Sequence, residues 1–171
     1  MEFMTLTEER HSTRVYEQTP VEQEKLDKIL HAANRAPSAG DLQAYSIVVV
    51  RSPAARKALA RAAVDQEFVG QAPVVLVFLA EPARSSEKYG HRGESLYAVQ
   101  DATIACAYAQ LAAHDLGLAA CWVGAFRKRE VQEAVGASEG QVPVALLPIG
   151  YAAESPFITP RRALSEMVRE V

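Results

Sequence analysis

The chain has 171 residues, a length that fits one domain. Hydrophobic residues make up 49% and charged residues 23%, a balance that excludes a disordered chain. A net charge of −3 argues against a general nucleic-acid binder, while leaving room for a small basic pocket around one phosphate.

The opening MEFMTLTEER has no basic stretch followed by an apolar one, so no secretory signal is expected. Thr5 with Glu8 forms a capping-box pattern and predicts a short helix leading into Arg10. Thr19, Pro20 and Glu22 mark a second helix start, with Leu26, Ile29, Leu30 and Ala33 at helical spacing behind it. That helix should end near Pro37, where the residue before proline disfavours helix. Tyr45 to Val50 reads as a buried strand. Ser52 and Pro53 open a third helix through about Ala63, and Pro73 to Ala80 is a second strand. Glu81 to Ser95 is polar and holds Gly90 and Gly93, so it reads as a loop.

Leu96 to Leu116 reads as a long helix, apolar on nearly every side. A domain this small offers little cover for such a helix, and a second subunit is the simplest remedy. Gln110, His114 and Asp115 interrupt the apolar run, so no membrane span is expected. Gly117 is placed to end the helix. Ala119 to Val123 reads as a strand, Arg127 to Val135 as a short helix before Gly136, and Pro143 to Tyr151 as the last strand. The tail is interrupted by prolines and basic at Arg161 and Arg162. Helices and strands intermix in one domain, residues 1–171, of α+β or α/β class.

Several chemistries lack their motifs. There is no G-x-G-x-x-G, no Walker A loop and no G-x-S-x-G elbow. The four histidines are scattered, and Cys106 and Cys121 form no C-x-x-C, so no metal site is expected. Two cysteines make no disulfide framework and fit a reduced, cytoplasmic setting.

Three segments carry polar or flexible residues beyond what structure asks for. In Arg10-His11-Ser12-Thr13-Arg14, alternate residues of an extended stretch would aim Arg10, Ser12 and Arg14 at one target. Two guanidiniums and a hydroxyl suit a phosphate; taken alone, surface arginines are the plainer reading. Ala36 to Gln43 joins a helix to a strand with small and polar residues that bring backbone N–H groups close to a flat ligand; alone, it is an ordinary turn. Cys121 to Phe126 ends a strand with Gly124, which lets a ring approach the backbone; alone, Trp122 is core packing. Cys121 as a nucleophile is weak, having no histidine near it in sequence and apolar neighbours that raise a thiol's pKa.

In this order, the segments resemble the FMN-dependent nitroreductase family over nearly the whole chain. RHSTR resembles its phosphate and ribityl motif, and APSAGDLQAY its P-S-[SA]-x-N-x-Q-P-W loop. The run LYAVQDATIACAYAQLAAHDLGLAACWVGAF is similar to its interface helix and following glycine segment, and GYAAESPFITPRRALSEMV to its tail.

The resemblance implies a three-layer α/β/α, α+β fold, with a central, mostly antiparallel sheet in an intertwined homodimer. It implies that Arg10, His11, Ser12 and Arg14, with Arg161 or Arg162 from the tail, hold phosphate and ribityl. Pro37, Ser38 and Ala39 would line the ring from the other subunit, and Asp41 and Gln43 of the same loop would also lie at the cofactor. Trp122, Val123 and Gly124 would lie against it, with the Gly124 N–H aimed at N5. Flavin would carry the chemistry, so no side chain is expected to be catalytic in itself. The implied function passes hydride from NAD(P)H to nitroaromatics, quinones or similar acceptors in a ping-pong cycle. Flavin fragmentation, reductive dehalogenation and a non-catalytic flavin-binding module stay open as alternatives.

Two departures stand out. Asp41 replaces the family's Asn, and Ala44-Tyr45 its Pro-Trp; an acid near reduced flavin would disfavour its negative charge. The chain also lacks the helical insertion of longer members. The Glu87 to Gly93 stretch stands there instead, offering Tyr89, His91 and Arg92 as a substrate entrance.

Overall fold

The computed structural model describes residues 2–155, 157 and 159–171. Pro156 and Ile158 of the tail motif lie outside the described residues. Four strands form one sheet in the order β1-β2-β4-β3: β1 is Tyr45–Val50, β2 Val74–Ala80, β3 Ala119–Ala120 and β4 Val142–Gly150. Every neighbouring pair is antiparallel.

β2 is buried at all seven positions, which explains its unbroken apolar sequence. Its side chains alternate between two cores. Val74, Leu76 and Phe78 face a cluster with Leu26, Ile29 and Cys106. Those residues come from helices α2 (Gln23–Asn34) and α6 (Ala98–Asp115). Val75, Val77 and Leu79 face a second cluster with Leu59, Val69 and Val131. These come from α3 (Pro53–Ala62), α4 (Glu67–Gln71) and α7 (Lys128–Val135). The expected three-layer α/β/α arrangement follows from this two-sided burial. Among the described residues, no helix is long and apolar enough to cross a membrane.

Several boundaries differ from the sequence expectation. Helix α1 is Phe3–Glu9 with Glu2 at its N-cap, so Thr5 lies inside it and the Thr5–Glu8 capping box is not used. Helix α2 begins at Gln23 rather than behind Thr19, whose hydroxyl donates to Glu17 Oε2 at 3.1 Å instead. Residues 81–95 are largely not a loop: Pro82–Arg92 is helix α5, followed by a π-helical turn over Gly93–Tyr97. Pro82 supplies a first-turn residue that needs no N–H partner, and Gly90 (φ 55°) interrupts the helix without ending it. The continuous part of β3 is also shorter than expected, although Val123 still exchanges backbone hydrogen bonds with Leu146.

Both ends of the chain meet at the β3 edge. The Thr13 N–H donates to Ala120 O at 3.2 Å, placing Ser12 beside β3. The Glu17 N–H donates to Tyr151 O and the Ala153 N–H to Val15 O, each at 2.9 Å. Glu154 Oε1 accepts from the Arg14 and Val15 amides.

Candidate functional site

Ser12 bridges β3 at Ala120 and Tyr16 bridges Ala152, and alternation holds over residues 12–14 but not at Val15, which is exposed, or Tyr16, which is buried. Thr13 is fully buried, whereas Ser12 and Arg14 are exposed on the opposite side. A cavity of about 620 Å³ opens there, lined by Arg10, His11 and Ser12 from the N-terminal segment, His114 from the end of α6, and Arg161 from the tail. Glu8, Glu9, Phe157 and Thr159 complete its wall.

Of the basic residues expected at one phosphate, the cavity therefore gathers Arg10 and Arg161. Arg14, expected with them, does not line the cavity; its guanidinium lies 5.9 Å from the Phe68 ring centroid. Arg162 is turned away, donating to Glu166 O at 3.5 Å and lying 4.0 Å from the Glu166 carboxylate.

Two atoms of the lining, Nε2 of His11 and Nε2 of His114, are buried without a hydrogen-bond partner, as is Oγ1 of Thr13 on the other side of the segment. Leaving such a group unpaired costs about 1–3 kcal/mol, so the region is built to receive polar atoms from a ligand. The two imidazoles meet edge to face at 6.1 Å. Burial, and next the neighbouring His11, push His114 below its ordinary 6.5. Burial raises the Cys121 thiol, with Arg14 and Ser12 acting the other way, so a resting nucleophilic thiolate is disfavoured.

The Cys121 to Phe126 segment continues from β3 past Ser12. Trp122 is half-buried, Val123 is buried, and Gly124 is exposed. A Cβ added to Gly124 would meet only the Trp122 indole nitrogen, at 3.6 Å, so one side of this backbone is open to a flat group.

The Pro37 to Gln43 loop lies elsewhere. Pro37, Ser38 and Ala39 line a separate cavity of about 420 Å³ with Tyr97, Gln100, Asp101 and Ile104. Asp41 is exposed, and its Oδ1 accepts from Gln43 Nε2, so its carboxylate already has a partner. The two cavities share no lining residue; Asp101 and His114 are thirteen residues apart on α6, about 20 Å at 1.5 Å per residue.

Among the residues expected at a substrate entrance, Tyr89 packs edge to face on Tyr97 at 5.2 Å. Arg92 donates to the Tyr97 hydroxyl at 2.8 Å. Both thus adjoin the cavity beside Pro37. His91 does not join them; its side chain is 89% exposed and sits 3.9 Å from Glu94. Sequence reasoning missed His114, Asp101 and Tyr97. A charged residue and a histidine within an otherwise apolar helix were the available signals for the first two.

Comparison with known proteins places this fold. The profile of the nitroreductase family matches residues 7–67 and 60–151. The chain is 32% identical over 186 residues to an NADH dehydrogenase of Thermus thermophilus, covering 93% of this chain and 91% of that one. It superposes on the NADPH:FMN oxidoreductase of Vibrio harveyi, solved with NAD+, with a TM-score of 0.89 at 26% identity, covering 98% and 76% of the two chains. An FMN-dependent nitroreductase from Clostridium difficile is similar over 92% of both chains, with a TM-score of 0.80 and 28% identity. With the profile covering most of its length, the chain belongs to the nitroreductase family.

Proposed function

We propose that the protein is an NAD(P)H-dependent FMN oxidoreductase acting on small electron-poor acceptors such as nitroaromatics and quinones, and working as a homodimer. The observation that carries the reading is the cavity where Arg10, His11 and Ser12 meet Arg161 from the other end of the chain.

The residues present fit FMN. A phosphate accepts from guanidinium and imidazole N–H groups, and a ribityl hydroxyl suits the unpaired His114 Nε2. Arg10 and Arg161 would hold the phosphate, and Ser12 would bond the ribityl chain. Trp122, Val123 and Gly124 would support the ring on the open side of their backbone. When bound, FMN supplies the two-electron chemistry that passes from nicotinamide to acceptor. Cations and N–H donors around it favour its reduced, more negative form. Asp41 opposes this less than its position suggests, because its carboxylate is exposed and already bonded.

The dimer reading rests on incomplete surfaces. The Pro37–Ala39 cavity lies about 20 Å along α6 from the phosphate cavity, a separation that supports completion of the site by a second copy. A groove of about 400 Å³ runs between Phe3, Leu6, Tyr108 and Leu111. Phe157, Leu164, Met167 and Val168 of the tail are exposed. Apolar tail and apolar groove are complementary, and a partner covers both. The open cavity beside Pro37 and Tyr97 gives nicotinamide and acceptor a shared approach, as alternating use of one face requires.

The test is to load the purified protein with FMN and add NADH or NADPH without oxygen. The expected result is a bound yellow flavin that bleaches, then regains its colour on adding a nitroaromatic or quinone. Protein that cannot be loaded refutes the reading, and bound flavin that neither nicotinamide bleaches reduces it to a binding module.

A further inference from the structure

We propose that Asp101 is the positioning residue that sets the shape of the Pro37–Gln43 loop where it meets the flavin ring, an inference that rests on the flavin reading above. Asp101 is 2% exposed, in the first turn of α6. Among the described residues, no cationic side chain forms an ion pair with it. Its two oxygens instead take backbone amides. The Ala39 N–H donates to Oδ1 at 2.9 Å, and the Ala44 N–H to Oδ2 at 3.3 Å. A buried carboxylate is tolerated when such charge-assisted hydrogen bonds satisfy it.

The two amides bracket a turn of strained backbone. Gly40 (φ 59°), Asp41 (φ 58°) and Gln43 (φ 43°) all lie in the left-handed region, and two of the three are not glycine. Such backbone persists where its surroundings over-determine it. Ser38 Oγ closes the turn from within, accepting from the Gln43 N–H at 3.0 Å. Asp101 closes it from outside and references it to a rigid helix. The same carboxylate lines the cavity that carries Pro37, Ser38 and Ala39. Because α6 also carries His114 at its other end, one helix fixes the spacing between the ring-facing loop and the phosphate cavity of its own protomer.

The test compares two ligands on the dimeric protein. Asp101→Asn keeps the side-chain volume and one acceptor but turns an NH2 toward the second amide. The apoprotein is titrated with FMN and with riboflavin, which lacks the phosphate. The expected result is that both dissociation constants rise by a similar factor, on the order of tenfold, and that the visible band of the bound flavin moves. Unchanged constants with an unmoved band overturn the proposal. Loss confined to FMN also overturns it, by putting the effect at the phosphate end.

A mixed dimer of an Asp101→Asn chain with an Arg161→Ala chain keeps the test open if the first variant does not assemble alone. A loop acting across the interface leaves one wild-type flavin site per mixed dimer, with both defects in the other. Two impaired sites contradict the proposal. Wild-type protein that binds neither flavin sinks the flavin reading itself, a result distinct from any of these.

Discussion

Arg161 and Arg162 are adjacent and chemically identical, yet the structure gives them different surroundings. Arg161 lines the cavity with Arg10, whereas Arg162 turns to Glu166. Arg161→Ala should therefore weaken FMN binding about ten- to hundredfold, the loss expected for a charge-assisted hydrogen bond. Arg162→Ala should leave it within about twofold, as a typical exposed substitution does. Fluorescence titration of FMN into each apoprotein separates them, and equal losses would remove the distinction.

His114 carries a pH signature. Its folded-state pKa lies below its ordinary 6.5, chiefly through burial and next through His11, with Glu9, Arg10 and Asp115 as smaller influences. In the window below 6.5 the unfolded chain binds the proton first, so its contribution to apoprotein stability is complete above that pH and is lost as pH falls. The melting temperature of the apoprotein should drop between about pH 7 and 5. His114→Gln should make that drop shallower; an identical slope would show that His114 does not contribute.

At the level of elements, α5 and its π-helical turn close around Gly93. A Cβ there would stand 2.4 Å from the Ser85 backbone oxygen, so something must move. Gly93→Ala should cost about 1–3 kcal/mol, the usual penalty of overpacking, read as a fall of roughly 2–12 °C in melting temperature. A midpoint unchanged by the substitution would mean that the turn yields freely.

Legibility in the sequence follows the same physics. Strand β1 keeps its expected bounds because its β-branched run is cut sharply at both ends. The two cores were foreshadowed by β2, whose lack of alternation demands cover on both faces. Helix α5 was hidden because its polar sequence carries Gly90 and is followed at once by Gly93, and its start depends on Pro82 alone. The capping signals misplaced two helix starts: Thr5 lies inside a helix that begins at Phe3, and the Thr19 hydroxyl bonds Glu17 rather than capping. For the site, the RHSTR segment and the Pro37–Gln43 loop were visible as polarity without structural need. What spacing could not supply was the tertiary choice between Arg161 and Arg162, or the reach of Asp101 back to residues 39 and 44.

For the whole molecule, neither cavity is a complete flavin site. One holds the cations, the other the loop, and α6 separates them. The outer face of α6 presents Tyr108, 40% exposed, and Leu111 to the apolar groove. A charge there would be costly to desolvate at the proposed interface. Leu111→Asp should thus split the dimer while leaving the protomer folded.

That variant also gives the most direct measurement of the central claim, that two copies jointly hold each flavin. FMN is titrated into wild-type and Leu111→Asp apoprotein while sedimentation reports the assembly. The account predicts one FMN per wild-type chain, two per dimer, and loss of tight binding together with dimerisation in the variant. A monomer that binds FMN as tightly as the wild-type protein would contradict it.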